Sequence, residues 1–239
     1  MALNIWAILI GASETILVLL GFFYFFKFFN DYTKYKKKLT PFLAFLALSL
    51  GSMHLGGSVA FFMKLIANQD ITYITYGFLT YIPLPIGLTL AVFIGSDVFQ
   101  PKLKWIMASV HAALGITLLV ALIGWPEIQM EELPATTETL VDANVQHIVG
   151  TIFTAYLIST VLALGFNFLQ ISSKMNQSEI TMKKKSLVLG IGWILWALGE
   201  FFAKGQFDFI PVELAILPNT IIFTALIMIF LGFAPLKED

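Results

Sequence analysis

Long apolar runs alternate with short polar connections along the chain. Seven of these runs are long enough to cross about 30 Å of hydrocarbon, which takes a helix of about 20 residues. They cover residues 4–26, 41–67, 71–96, 103–125, 147–171, 186–204 and 214–233. Because hydrocarbon offers no partners to free backbone groups, each run is predicted to be an α-helix. The pattern predicts an all-α polytopic membrane protein: one domain, residues 1–239, built as a bundle of seven transmembrane helices.

The composition favours a lipid environment over water. Hydrophobic residues make up 58% of the chain and charged residues only 12%, and the mean hydropathy is +0.86. Soluble domains have about half apolar and about a quarter charged residues. The chain has no cysteine, which excludes disulfides, thiolate catalysis and cysteine-ligated metals. The lysines lie in short connections rather than on a domain face, so nucleic-acid binding is not expected.

The lysines also predict the orientation of the bundle. All but two of them, Lys64 and Lys204, fall in or beside the first, third and fifth connections or in the C-terminal tail. The opposite connections carry mainly acidic side chains, above all the stretch 126–146, which is expected to form an ordered flap or a mobile loop. Since positive connections face the cytoplasm, the N-terminus is predicted outside and the C-terminus inside. The expected location is the cytoplasmic membrane of the cell, with multiple passes.

Ionisable side chains inside the predicted spans are the first candidates for function. Charged groups at membrane depth are costly, so each one is a functional candidate. Glu14, His54, His111 and Glu200 lie within the runs, and Asn219 adds an amide in the last one. For Glu14, the expected partner is one of the two histidines or a serine. For Glu200, the favoured interpretation is a surface ion pair with Lys204, four residues further along the helix, and a place in the pocket is the functional one.

Small residues surround both buried histidines. Gly51, His54 and Ser58 share one helix face, as do His111 and Gly115. Such faces either let helices approach closely or leave room for a flat ligand. The first interpretation requires no cofactor. The second would make His54 and His111 the axial ligands of a b-type haem, and a proton or metal site is a third alternative.

The third span is interrupted by prolines in the stretch YIPLPIG. Pro83 and Pro85 lack backbone donors, so the helix is expected to kink or break beside Tyr81. A break at membrane depth is tolerated where it faces protein or a cavity. Tyr81, the two prolines, Glu14, His54, Glu200 and Asn219 are therefore predicted to line an outward-facing pocket. The alternative is a purely structural kink with tyrosines at the membrane interface.

The last two spans resemble the ends of archaeal and bacterial seven-helix sensory modules, which are often fused to histidine kinases. The segments are KKKSLVLGIGWILWALGEFFAKG and IIFTALIMIFLGFAPLKED. The shared features are a basic run, a glycine-bearing sixth helix and a Gly-Phe-x-Pro exit from the seventh. Since no kinase follows here, the resemblance implies a signal that passes to a separate cytoplasmic partner. A retinal protein is not expected, because the seventh span has no lysine.

These patterns predict a receptor-like or sensory membrane protein that binds a small molecule. Its central polar pair is expected to be Glu14 and His54, and its movable element the Pro83–Pro85 kink. A b-type haem electron-transfer protein and a small proton or ion carrier are the alternatives. Enzymatic activity is not expected, because no hydrolase motif lies on a structured span. The lipid bilayer is the expected partner, and homo-oligomerisation stays open.

Overall fold

We analysed a computed structural model of the chain, which describes residues 3–136, 139–176, 179–204 and 214–234. Within these ranges, six helices are long and apolar enough to cross a membrane. A bent pair of shorter helices adds a seventh span if the two halves count together. The chain is therefore a helical protein whose helices have the length and composition of membrane spans.

The helices follow the predicted runs closely. In chain order they are α1 (Ile5–Tyr35), α2 (Thr40–Ser52), α3 (Leu55–Phe62), α4 (Tyr73–Tyr81), α5 (Pro83–Phe99), α6 (Lys104–Gly124), α7 (Pro126–Gln129), α8 (His147–Thr160), α9 (Asn167–Lys174), α10 (Ile180–Lys204) and α11 (Ile216–Phe233). One turn of π-helix, Met63–Ala67, extends α3, and another, Val161–Phe166, joins α8 to α9. Apart from the C-terminal end of α1 and the start of α10, hydrophobic runs thus locate the helices to within a few residues.

Two helices are longer than the apolar runs that predict them. The first continues from its run to Tyr35, and α10 begins at Ile180, ahead of the predicted start of span six. These added turns carry lysines such as Lys34 and Lys184, which are good helix formers and prefer an aqueous environment. Several lysines assigned to connections therefore lie on helix ends that extend past the apolar segment.

The connection between α6 and α8 contains a β-hairpin, which corrects the all-α prediction. Strand β1 (Met130–Leu133) pairs antiparallel with β2 (Asp142–Val145), and the register places Met130 opposite Val145. The hairpin packs on α4. There, the Met130 sulfur occupies the space beside Gly77, where a Cβ would lie only 2.1 Å from it. The two strands of this connection thus lie against α4.

The strongest break lies in the second span. Helices α2 and α3 meet at an angle of 48° around Met53 and His54. The His54 amide bonds the Gly51 carbonyl, three residues back, so the α-helical hydrogen-bond pattern is interrupted there. A Gly-Ser pair, Gly51 and Ser52, precedes the bend, as is common at helix kinks. In the third span, α4 and α5 are interrupted only at Ile82 and together still form one continuous span, Tyr73–Phe99.

Glycines allow the helices to cross closely. A Cβ on Gly21 of α1 would lie 2.6 Å from the Gly51 Cα in α2, so these helices touch backbone to backbone. A Cβ on Gly199 of α10 would lie 2.5 Å from the side chain of Ile222 in α11. Helix α1 also packs against α11, which places α10, α11, α1 and α2 beside one another. These four elements carry the polar side chains described next.

Candidate functional site

A buried cluster of three ionisable side chains lies where α1, the α2–α3 bend and α10 meet. The Glu14 Oε2 atom lies 2.7 Å from Nδ1 of His54, within hydrogen-bond distance. On the other side of the ring, Nε2 lies 3.4 Å from Oε1 of Glu200. His54 and Glu200 are fully buried, and Glu14 is only 5% exposed. One imidazole ring is thus held between two carboxyl groups.

The bend in the second span places the ring. His54 is the residue at which α2 has ended and α3 has not yet begun, with backbone angles of φ −99° and ψ 6°. The next turn carries Gly57, and a Cβ there would lie 2.8 Å from Cγ of Glu14. Since glycine has no side chain, the Glu14 side chain can lie against the α3 backbone and reach the ring.

Asn219 joins the cluster from α11. Its Nδ2 atom lies 2.8 Å from the Ser13 hydroxyl and 3.3 Å from Oε1 of Glu14. Each oxygen of Glu14 therefore has its own partner: the amide of Asn219 on one side and His54 on the other. The last helix is in this way linked to the bend of the second span through one carboxyl group.

Glu200 is far less well satisfied than Glu14. Neither of its oxygens makes a hydrogen bond within the described part of the chain, and the same holds for His54 Nε2. The indole nitrogens of Trp193 and Trp196 also lack partners there, and both rings are fully buried. The two tryptophans and Glu200 share one face of α10 by their spacing. Buried polar groups normally have partners. On this face of α10, the contact of Glu200 Oε1 with His54 Nε2 at 3.4 Å is the nearest ionic contact among the described residues.

Proton positions in the cluster follow from simple pairing rules. A neutral imidazole has one donor and one acceptor nitrogen, whereas an ionised carboxylate only accepts. If both Glu14 and Glu200 are ionised, only a protonated His54 presents a donor to each. If His54 is neutral, one of the two carboxyl groups must carry the proton to avoid opposing lone pairs. The cluster can therefore hold at least one mobile proton.

A cavity of about 230 Å³ connects Glu14 with the hairpin end of the bundle. Its helical wall includes Glu14, Gly57, Tyr76 and Asn219. The remaining wall comes from the hairpin and its connection, with Leu133, Pro134, Thr139, Leu140, Val141 and Asp142. His54 and Glu200 lie behind Glu14, not in the cavity wall. Among the three ionisable side chains of the cluster, Glu14 is therefore the one that lines this cavity.

The other predicted pocket residues lie elsewhere. The Tyr81 hydroxyl donates to the Ala143 carbonyl at 3.3 Å, which fastens α4 to strand β2. Pro85 packs against α6, where a Cβ on Gly115 would lie 2.6 Å from its Cβ. Pro83 is the first residue of α5. None of these three is among the described residues that line this cavity.

The position of Glu200 differs from the one expected for a surface ion pair. Its side chain is fully buried against His54 rather than exposed at the end of α10. The proposed partner, the Lys204 side chain, lies outside the described part of the structure. A carboxyl group this deep, with a histidine as its ionic neighbour, belongs to the cluster and not to the helix surface.

His111 sits in a separate polar contact between α6 and α8. Its Nδ1 lies 3.0 Å from the Met107 carbonyl and its Nε2 lies 3.1 Å from the Ser159 hydroxyl. Its own carbonyl accepts a hydrogen bond from the Tyr156 hydroxyl at 2.7 Å. The ring therefore links α6 to α8. This agrees with the interpretation that the small residues beside the histidine let two helices pack closely.

The residues around the two histidines do not fit a haem as they are arranged. Every ring nitrogen of His54 and His111 already faces a protein atom. The spaces beside the small residues are also filled, since a Cβ on Gly56 would lie 2.2 Å from the Thr80 hydroxyl. Ligation of iron would require both rings to leave these contacts. The haem alternative stays a prediction.

Sequence reasoning identified the charged cluster but missed the groups that enclose it. Gly57, Ser13 and the hairpin residue Asp142 carried no distinctive signal of their own. The acidic, proline-containing connection 126–146 was the available hint of a cover over the pocket. Its contact with the cavity depends on how the hairpin folds back over α4, which local sequence does not specify.

No protein-family profile, no curated protein and no solved structure matches the chain. The fold and the buried cluster therefore define its class by themselves. It is a helical protein of the membrane-spanning type, with an ionisable cluster and an adjoining cavity inside its bundle.

Proposed function

We propose that the chain is a seven-helix integral membrane protein of the cell membrane with a receptor-like, sensory role. In this proposal α2 and α3 together form one bent span. The N-terminus and the hairpin lie outside, and the lysine-rich helix ends lie inside, in accord with the positive-inside rule. The cavity beneath the hairpin is then an outward-facing pocket for a small molecule.

The proposal rests on one observation: the carboxyl group of Glu14 lines the cavity and also hydrogen-bonds His54, at the bend between α2 and α3. Glu14 reaches the cavity on one side and hydrogen-bonds His54 on the other. A ligand that binds Glu14 would weaken the hydrogen bond between Glu14 and His54. His54 lies at the point where α2 and α3 meet at 48°. Ligand binding and the angle of this span are thus linked through shared use of one group.

The cavity wall favours a small cationic or hydrogen-bond-donating ligand. Glu14 and Asp142 bring carboxyl groups to the wall, and Thr139 brings a hydroxyl. Among the described lining residues none is lysine, arginine or histidine. Buried or partly buried carboxylates bind best to groups that supply positive charge or donors. A volume of about 230 Å³ lies below the usual range of drug-sized pockets, which favours a compact ligand.

The experiment is a thermal-shift titration of the purified full chain with ethylammonium and tetramethylammonium. Neutral alcohols of matched size serve as ligand controls. We expect at least one cation to raise the unfolding temperature of the wild type, because a ligand bound only to the folded state stabilises it. Glu14→Gln should abolish the rise. Glu132→Gln is the matched control, since this hairpin carboxylate is exposed and does not line the cavity.

Equal responses in the wild type and Glu14→Gln would contradict the cation-binding pocket. So would a response to the alcohols as large as that to the cations. A cytoplasmic partner protein is the expected receiver of the signal, and co-purification from membranes with and without the cation tests that step.

A proton carrier is the second candidate, favoured by the burial of Glu200 beside His54. A fully buried carboxyl group beside a histidine, with a second carboxyl group leading to a cavity, has the parts of a proton relay. Proteoliposomes with an internal pH dye test it. If the protein carries protons, the interior of the proteoliposomes should acidify under an imposed potential. Glu200→Gln should abolish this proton flux, whereas Glu179→Gln, which changes an exposed carboxylate, should leave it unchanged. Absence of flux favours the sensory role.

The haem alternative has its own readout. A purified protein with haem b would be red and would lose its Soret band in His54→Ala. A colourless preparation would exclude this alternative, and the sensory and carrier roles would remain.

A further inference from the structure

The carboxyl group of Glu14 lies between the ring of His54 and the cavity beneath the hairpin. Its Oε2 atom is 2.7 Å from Nδ1 of His54, and the same side chain lines the cavity. Both sides can therefore present positive charge to this one group: a protonated imidazole from within the bundle, and a cation from the cavity.

The contacts of the two carboxyl groups favour different protonation states. Glu14 faces two donors, because the Asn219 amide donates to its Oε1 at 3.3 Å while His54 approaches its Oε2. Donors stabilise the ionised form of a carboxyl group. The contact of Glu200 with Nε2 of His54 is 3.4 Å long, at the limit of a hydrogen bond. Glu14 is therefore the better place for a negative charge, and Glu200 the better place for a proton.

Charge balance in the buried cluster then places a second proton on the ring. His54 and Glu200 are fully buried, and Glu14 is nearly so. An unbalanced charge at such depth is costly, whereas an ionised carboxylate beside a protonated imidazole has no net charge. Without a ligand, the cluster is thus an ion pair of Glu14 and His54 beside the neutral acid of Glu200.

Further ionisable groups face Glu14 from the hairpin and from α4. Asp142 of β2 and Tyr76 of α4 line the same cavity. Asp142 is partly exposed, so water screens its charge, and the Tyr76 phenol is neutral near neutral pH. The neighbour from α11 is the uncharged amide of Asn219. Of the groups described around Glu14, the ring of His54 is thus the one that carries a positive charge in direct contact with it.

We propose that a cation bound in this cavity displaces one proton, which leaves from His54. The inference rests on the proposed cation pocket. The cation replaces the ring as the counter-charge of Glu14, and the buried charge stays balanced when the ring becomes neutral. Neutral His54 keeps its Nδ1 proton toward Glu14, and its Nε2 becomes an acceptor for the acid proton of Glu200. One cation enters and one proton passes to water.

The cation and the proton therefore compete. Two ligands that exclude each other weaken each other's binding by the same factor. The affinity for the cation should rise with pH, by up to about tenfold per pH unit, over the range in which the ring of the unliganded protein is protonated. The pocket then responds to the ratio of cation to protons, not to the cation alone.

The test counts the protons released for each cation bound. The purified full chain, in neutral detergent and weak buffer, is titrated with tetramethylammonium and with ethylammonium. A pH-indicator dye reports the protons, and calorimetry reports the bound cation. Tetramethylammonium has no proton to lose, so each proton released with it comes from the protein. We expect about one proton per bound cation, and none on addition of the size-matched neutral alcohols.

Two variants identify the group that loses the proton. His54→Gln keeps an amide donor for Glu14 but has no titratable proton, so the cation should still bind and the release should fall close to zero. Glu200→Gln is the matched variant. Its amide has the shape and charge of a protonated carboxyl group, so the release should stay at about one proton per cation. Unfolding temperatures verify that both variants are folded.

The pH dependence of the wild-type affinity needs no variant, so the inference stays testable if His54→Gln does not fold. Failure of the pocket and failure of the exchange give different results. If neither cation binds to the wild type, the proposed pocket is wrong and the exchange is wrong with it. If a cation binds without releasing protons, or with an affinity that does not change with pH, the exchange alone is wrong. Release that persists in His54→Gln, or is lost in Glu200→Gln, would assign the proton to a carboxyl group and overturn the role of His54.

Discussion

The carboxyl group of Glu14 and the ring of His54 lie 2.7 Å apart, although 40 positions separate them in the chain. The pair joins α1 to the bend between α2 and α3. Glu200 approaches the same ring from α10, but at 3.4 Å. The two carboxyl groups therefore differ in how firmly they are held, which leads to the first prediction.

Glu14→Gln should destabilise the protein more than Glu200→Gln. The first substitution replaces a buried hydrogen-bond partner of His54 at 2.7 Å, at a cost of about 1–3 kcal/mol. The second removes a carboxyl oxygen that lies 3.4 Å from the His54 ring, at the long limit of a hydrogen bond, so a weaker contact is lost. Unfolding followed by tryptophan fluorescence in detergent measures both. A larger loss for Glu200→Gln would contradict the ranking.

Gly51→Ala should strongly disturb the crossing of α1 and α2. The added methyl group would lie 2.6 Å from the Cα of Gly21, and neither backbone can move without shifting its helix. Overpacking of this kind costs about 1–3 kcal/mol. Gly124→Ala is the matched control, because nothing lies within 4 Å of the new methyl group. Equal unfolding temperatures for the two variants would argue against the backbone contact.

Tyr81→Phe should loosen the hairpin without unfolding the bundle. The hydroxyl lost is the donor to the Ala143 carbonyl of β2, a bond worth about 1 kcal/mol. Hydrogen exchange should quicken in residues 130–145 and stay unchanged in α10. Tyr73→Phe provides the control on the same helix, since the Tyr73 ring only packs against the core. Unchanged exchange in the hairpin would mean that other contacts hold it.

Single cysteines should report the orientation, because the natural chain has none. Glu132→Cys places an exposed thiol on the hairpin, and Lys102→Cys places one in the connection between α5 and α6. We expect a membrane-impermeant maleimide to label the first in intact cells and the second only after lysis. The reverse labelling pattern would mean that the bundle has the opposite orientation, with the Glu14 cavity on the cytoplasmic side.

The amino-acid sequence alone specified the helices and the ionisable residues, because hydrocarbon allows few solutions. A run of about 20 apolar residues has to be helical in lipid, so the spans follow from counting. Glu14, His54 and Glu200 stood out because charge inside such runs is rare. The extra turns of α1 and α10 could not be predicted in this way, since a helix continues into water wherever its residues and caps permit.

The tertiary structure alone decided which of these residues meet and where the bundle bends. The prolines at 83 and 85 carried the stronger local signal for a kink, yet the larger bend falls at His54. At this bend the backbone hydrogen-bond pattern is interrupted at His54, and Gly51 and Gly57 lie against α1 on either side of it. The hairpin's position over Glu14 likewise depends on packing against α4. Hydropathy reports how each segment partitions into lipid, whereas these contacts depend on the shapes that distant segments present to one another.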